Sequence, residues 1–246
     1  MPIISGITEA LYVNQYDLSG DIGAFGSIVH NRNLMDDTTI QQPAIARLRL
    51  LHDGSITYHA FLDVAAGQEH PVLGVALNGV SALWTWASGL TIGALTASLV
   101  AIASDYPIAR GQDGSAVIDA TAQANGYGTE FGNLLTVGKQ TFASSGAGTS
   151  VDDFGAATAF GLAGYLHAMS LGSGTATVTI QDSADNASFA NVTGGGFTAI
   201  TGATSERIQT GATAAVRRYV RVNVTGTFSN LVAVVSFVRY INSPNS

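Results

Sequence analysis

The chain has 246 residues, of which 46% are hydrophobic and 11% charged, and its formal net charge is −7. That length allows one large all-β domain or two of ordinary size, either able to bury a core without covalent staples. The absence of cysteine removes a disulfide framework, a thiolate nucleophile and a cysteine metal site, and an acidic chain lacks the Lys/Arg face that nucleic-acid wrapping requires.

The acidic excess is uneven. Residues 1–130 carry twelve acidic and four basic side chains, a net −8, whereas residues 131–246 carry five and six, a net +1. Met1 to Ala10 has no basic residue and no apolar run, so no secretory leader is expected there. The most apolar stretch, Ile92 to Ala103, contains Thr96 and Ser98 and is too short to cross a bilayer, so no membrane insertion is expected. The three Asn-x-Ser/Thr matches at Asn186, Asn191 and Asn223 then read as coincidences of a Ser/Thr-rich chain. Heavy use of Gly, Ala, Ser, Thr and Val points to strands and turns rather than long helices.

The segment from Ser19 to Thr39 is too long and polar for a hairpin turn and is expected to be a loop. Its Gly20, Gly23 and Gly26 have G-x-x-G-x-x-G spacing, which is not a dinucleotide fingerprint, and no helix is expected after them. Asp36 and Asp37 read as a solvated turn before a cation site. Ser55 to Leu62 alternates Ile56, Tyr58, Ala60 and Leu62 against Thr57, His59 and Phe61, a strand entered from a turn at His52-Asp53-Gly54. A short helix is expected from about His70, because Pro71 fits only a first turn, with Val72, Leu73, Val75 and Ala76 inward. Trp84 and Trp86 lie on one face of a strand, as core or interface before a sugar platform. Leu95 to Tyr106 is expected to pair with Ser115 to Ala124, whose Ala116, Ile118, Ala120 and Ala122 alternate with Val117, Asp119, Thr121 and Gln123, across a loop Ile108–Gly114.

Lys139 to Ser150 (KQTFASSGAGTS) has linker composition and falls where the charge balance changes. Two domains are therefore expected, 1–138 and 151–246, joined by a linker at 139–150. Short apolar runs at Phe160–Leu171, Thr175–Gln181, Ala215–Val224 and Leu231–Ile241 suggest a second β-sandwich. Its last strand is nearly all apolar and is expected to be central, and Val220, Val222 and Val224 face its core.

No set of residues reads as catalytic. His30, His52, His59, His70 and His167 lack metal-binding spacing, no G-x-S-x-G elbow is present, and Asp182, Asp185 and Asn186 in QDSADNAS read as a turn before a calcium loop. No cofactor is expected. Arg217, Arg218 and Arg221 form the one basic cluster, with Arg217, Tyr219 and Arg221 as a candidate binding face for a phosphate, a glycan or a neighbouring subunit.

The segments NQYDLSGDIGAFGSI, LMDDTTI, LHDGSITYHAFLD, AAGQEHPVL and YPIARGQDGSAVIDATAQANGYGTEFG, in that order, resemble the N-terminal half of siphophage major tail proteins. VTIQDSADNASFANVTGGGFTAIT and RRYVRVNVTGTF resemble the outer domain that some of these proteins append. The resemblance implies a mainly β fold: a tail-tube β-sandwich domain with one short α-helix that builds a barrel with its neighbours, then an outer β-sandwich. It implies hexameric rings stacked into a tube, other tail proteins (tape measure, tail terminator, distal tail) as partners, and genomic DNA sliding through without specific binding. Asp119, Thr121 and Gln123, with Asp105 nearby, would face the channel, where carboxylates and hydroxyls repel phosphates. Asp21, Phe25, Asp36 and Asp37 would lie on a loop that orders against the next ring. The chain would then be a virion component made in the host cytoplasm. The second reading is a carbohydrate-binding or decoration protein of the virion surface.

Overall fold

The computed structural model describes residues 8–76, 78–153 and 157–242. It is mainly β, as expected. The strands are β1 (Ala10–Val13), β2 (Tyr16–Asp17), β3 (Ile22–Asp36), β4 (Arg47–Phe61), β5 (Ala82–Ala87), β6 (Leu95–Asp105), β7 (Ile108–Arg110) and β8 (Ala116–Leu134). They continue with β9 (Gln140–Phe142), β10 (Gly146–Ala147), β11 (Val151–Asp152), β12 (Leu162–Ser183), β13 (Ala190–Gly196), β14 (Thr204–Gln209) and β15 (Tyr219–Arg239). One short helix, His70–Ala76, interrupts them.

Two compact units result, the first from residues 1–20, 83–98 and 131–246, the second from residues 21–82 and 99–130. This differs from the expected split into 1–138 and 151–246. The reason is a shared core: β1 pairs with β5 from Ala10↔Ala87 to Val13↔Trp84, and Ala10, Tyr12 and Ala87 bury against Leu134 and Val234.

In the first unit β15 is central, as its apolar content predicts. On one side it pairs with β12 from Leu162↔Arg239 to Ser183↔Tyr219. Along its other edge lie β11, β10, β9 and the end of β8. The segment 139–150 is therefore not a free linker, because Gln140–Phe142 and Gly146–Ala147 hydrogen-bond to β15 and Phe142 is buried. The four short strands expected after residue 160 are two long ones. Gly174 and Gly226 let β12 and β15 approach closely: a Cβ at Gly174 would stand 2.1 Å from the Thr227 carbonyl oxygen, and one at Gly226 2.3 Å from that of Thr175. Both have positive φ, which glycine adopts without strain. Val178, Ile180, Val220, Val222 and Val224 alternate into the core as period two requires.

Two buried polar devices stabilise this unit. Arg239 and Asp153 are both 7% exposed and meet at 2.6 Å, and the same guanidinium donates to the carbonyls of Val216, Arg217 and Arg218. His167 is fully buried, with Nδ1 2.6 Å from the Asn14 carbonyl and Nε2 2.8 Å from Thr85 Oγ1. Burial holds its imidazole down to about 4.

In the second unit β4 lies between β3 and β8. Ile56, Tyr58 and Ala60 of β4 and Ile118, Ala120 and Ala122 of β8 are buried, as their alternation predicts, and β6 neighbours β8. Three local expectations fail. His52-Asp53-Gly54 is mid-strand, with His30↔Gly54 and Arg32↔His52 in register. Ser19–Thr39 is mostly strand β3, whose near-absence of a buried face left no period-two signal. The Ile108–Gly114 loop begins as β7, paired to β8. The helix begins at His70 with Pro71 in its first turn; Val72 and Leu73 are buried, but Val75 is 68% exposed.

Removing one partner of a buried, hydrogen-bonded ion pair leaves the other charge uncompensated. Arg239→Ala and Asp153→Asn should each destabilise the chain by about 3–5 kcal/mol, read as a lower urea midpoint; an unchanged midpoint would contradict the assignment of this pair as a structural clamp.

Candidate functional site

Period two along β4 sends Ile56, Tyr58 and Ala60 inward and leaves Ser55, Thr57 and His59 on the opposite face. Register then aligns Gln123 with Ser55, Thr121 with Thr57 and Asp119 with His59. On the far side, Val29, Ser27 and Ala24 of β3 meet the same three residues. The expected channel residues Asp119, Thr121 and Gln123 thus share one face of a three-stranded sheet. That face is rich in hydroxyls and amides. The Ser27 N–H donates to Thr57 Oγ1 at 2.7 Å, and the two hydroxyls stand 2.9 Å apart. Gln123 donates to Asp53 Oδ1 at 2.8 Å and to the Gly54 carbonyl at 3.1 Å. His59 Nδ1 is 2.7 Å from Asp119 Oδ1, with the Asp119 side chain 70% exposed. Among the described residues no hydroxyl bonds the other nitrogen of His59. Asp105 is exposed at the end of β6, by a shallow pocket that Leu73, Asn78 and Tyr106 also line.

The residues expected on an inter-ring loop are divided. Asp21 is buried, and its carboxylate accepts the Glu69 N–H at 2.8 Å, so it serves the unit's interior. Phe25 is half-buried in register with Tyr58. Asp36 and Asp37 are exposed where β3 ends, and Asp36 accepts the Thr38 N–H at 2.9 Å.

Among the described residues, no other strand lies beside the β3–β4 pair beyond its root. β3 pairs only with β4, and β8 reaches β4 only from Ser55 to Phe61. At the root, His30 lies edge-on to His52, His30 Nδ1 contacts the Thr129 carbonyl, and Arg32 hydrogen-bonds His52. Burial, then Arg32 and His30, pull the His52 imidazole below its ordinary range. Past that root, Leu34, Met35, Ile40, Ile45, Leu48, Leu50 and Leu51 are all exposed, Leu51 at 85%. A two-stranded ribbon with unpaired edges and apolar side chains in water is marginal alone and a template for pairing.

Sequence reasoning missed the acidic cluster behind the sheet. Glu69 is fully buried, and its Oε2 accepts the Tyr106 hydroxyl at 2.5 Å, while Tyr106 also lies 3.3 Å from His70 Nδ1. Burial is the main cause that lifts the Glu69 carboxyl to about 7; the neighbouring Asp21 adds to it and the Tyr106 and Tyr58 hydroxyls oppose it. Its partners Asp21, Tyr58 and Tyr106 come from three distant segments, so no local spacing could reveal them.

In the first unit, the basic cluster does not offer a face of free cations. Arg217 pairs with Asp182 at 2.6 Å and Arg218 with Asp152 at 2.6 Å. Tyr219 lies under the Arg218 guanidinium, and Arg221 bonds Gln181. Trp84 is core, and Trp86 is half-buried. Among the described residues no cluster of three His, Asp or Glu side chains could hold a metal ion, and no helix is long and apolar enough to cross a membrane.

The described residues thus form a mainly β, antiparallel protein with a polar sheet face and an exposed apolar ribbon. No protein-family model matches the chain, and no curated protein does. Among solved structures it is similar to the SPP1 Dit protein, described as a paradigm of the hub adsorption apparatus in phages infecting Gram-positive bacteria. That likeness has 10% identity and a TM-score of 0.35, over 95% of this chain and 99% of the other; similarity that weak carries no functional argument.

A buried carboxyl with a raised pKa stabilises the fold below its unfolded value, and the contribution is lost as pH rises through the folded value. For Glu69 that window runs from 4.5 to about 7. Glu69→Gln should therefore gain on the parent across it, by at most about 3 kcal/mol, in paired urea titrations at pH 5 and 8. A constant difference between the two proteins would show that Glu69 does not titrate there.

Proposed function

We propose that this chain is a self-assembling structural subunit that builds the tail tube of a long-tailed phage and has no enzymatic role. The observation that carries the reading is the β3–β4 ribbon, which exposes seven large apolar side chains beside backbone edges that no strand among the described residues pairs. Such a segment gains most by lying against a further copy, where both its edges and its side chains leave water. The polar face of Asp119, Thr121 and Gln123 supports the same reading. A wall of hydroxyls, amides and carboxylates gives phosphates nothing to hold, so a genome slides along it without specific contacts.

On this reading, copies form rings, hexameric by the resemblance of the sequence, and rings stack through the ribbon. Asp36 and Asp37 sit at its exposed end and would meet the neighbouring ring, while Asp21 instead organises the interior. Tape measure, tail terminator and distal tail proteins would be the further partners, and the virion tail the location.

Negative-stain microscopy of the purified full chain should show rings or tubes. Leu51→Asp and Ile40→Asp, at solvent-facing positions, should abolish them while leaving the monomer's stability within about 0.5 kcal/mol. Tubes of normal appearance from both variants would sink the ribbon's role, and a wild-type chain that stays monomeric at high concentration would sink the tube itself.

A further inference from the structure

The outward face of the first unit carries a row of side chains that the tube reading does not use. Asn191 of β13, Gln181 of β12 and Arg221 of β15 are register partners across three adjacent strands, so their side chains share one face. They form a directed relay. Arg221 Nε and Nη2 donate to Gln181 Oε1 at 3.0 and 2.9 Å, and Gln181 Nε2 donates to Asn191 Oδ1 at 2.9 Å. The guanidinium is also stacked on Phe189, 3.8 Å from the ring centroid. Two constraints therefore fix its plane, which is costly for a long side chain unless the fixed position is used.

What the relay leaves over is chemically one-sided. Acceptors within it are occupied, whereas among the described residues Arg221 Nη1 and Asn191 Nδ2 make no hydrogen bond. Arg217, Arg218 and Arg239 each face a carboxylate, but Arg221 has only the neutral Gln181 oxygen and an aromatic ring. The site presents pre-oriented donors and an uncompensated positive charge. Beside it, the next rows on the same face are Thr179↔Asn223 and Thr177↔Thr225, short hydroxyls and an amide with no apolar side chain among them. A protein partner would need an apolar anchor there; a nucleic acid would need a Lys/Arg face to neutralise successive phosphates, whereas this row supplies the single guanidinium of Arg221.

We propose that the Asn191–Gln181–Arg221 row is a binding site for an anionic glycan. Its carboxylate or phosphodiester oxygen would accept from Arg221, and its sugar hydroxyls would lie on the Thr179 and Asn223 rows. This does not rest on the tube reading, since a glycan bound on this face would be compatible with a monomer or a tube.

The test is binding of the full chain to immobilised polygalacturonate, to a glycerol-phosphate teichoic acid, to neutral dextran and to polyglutamate. One of the two acidic glycans should bind above dextran, identifying carboxylate or phosphodiester as the group read, and should weaken as salt rises. Arg221→Ala should weaken that binding by roughly tenfold, the worth of one charged hydrogen bond. Asn191→Asp, an exposed change that places a negative charge in the row, should weaken it too. Equal binding to dextran, stronger binding to polyglutamate, no binding to either acidic glycan, or an unchanged affinity in both variants would overturn the proposal.

Discussion

The β12–β15 ladder is the constraint on which the first unit depends. The two strands pair from Leu162↔Arg239 to Ser183↔Tyr219, with one irregularity between Ala168 and Ser170. A ladder of that length needs backbones to pass closely where side chains would collide, which is what Gly174 and Gly226 permit. Once it exists, β15 offers a second edge, and the chain satisfies that edge with whatever precedes it: β9, β10 and β11 in turn. A segment with the composition of a linker becomes ordered because unpaired backbone groups of a central strand are costly to leave without partners. The Arg239–Asp153 clamp closes the same edge by gathering three carbonyls onto one guanidinium.

How much of this the sequence disclosed depended on whether the signal was local. Alternation at Ile56–Ala60, Ile118–Ala122 and Val220–Val224 reported buried faces correctly, because period two is written in adjacent residues. Pro71 correctly placed the start of the helix. The role of Gly174 and Gly226 was not legible, since a glycine that allows two strands to touch looks the same as one that ends a strand. β3 was invisible for a different reason: of residues 19–39 only Asp21 is buried, and a strand exposed on both faces carries no apolar period. The structure divides the chain differently because Tyr12 and Val234 share one core across more than two hundred residues of chain.

The candidate sites follow the same division. Asp119, Thr121 and Gln123 share a face, as alternation alone requires. Arg217 and Arg218 were legible as a basic cluster, but their neutralisation by Asp182 and Asp152 was not, since those carboxylates lie on other strands. His167 stands between Leu166 and Ala168 in an apolar run, which is a hint of burial, whereas Glu69 is flanked by Gln68 and His70 and offers none. The two side chains respond to pH in opposite senses. His167, held neutral, favours the fold above its ordinary value of 6.5, and that contribution fades toward 4; Glu69, held protonated, favours it below 4.5 and loses its contribution through about 7.

Exposed apolar side chains on a ribbon with unpaired edges are the feature that the monomer leaves unresolved and assembly would satisfy. Amide hydrogen exchange at two protein concentrations measures this directly. In dilute monomer the amides of residues 31–51 should exchange quickly, and in the assembled state they should become protected together with their neighbours in β3 and β4. Rapid exchange in both states, or full protection already in the monomer, would contradict the claim that this ribbon is completed by a further copy of the chain.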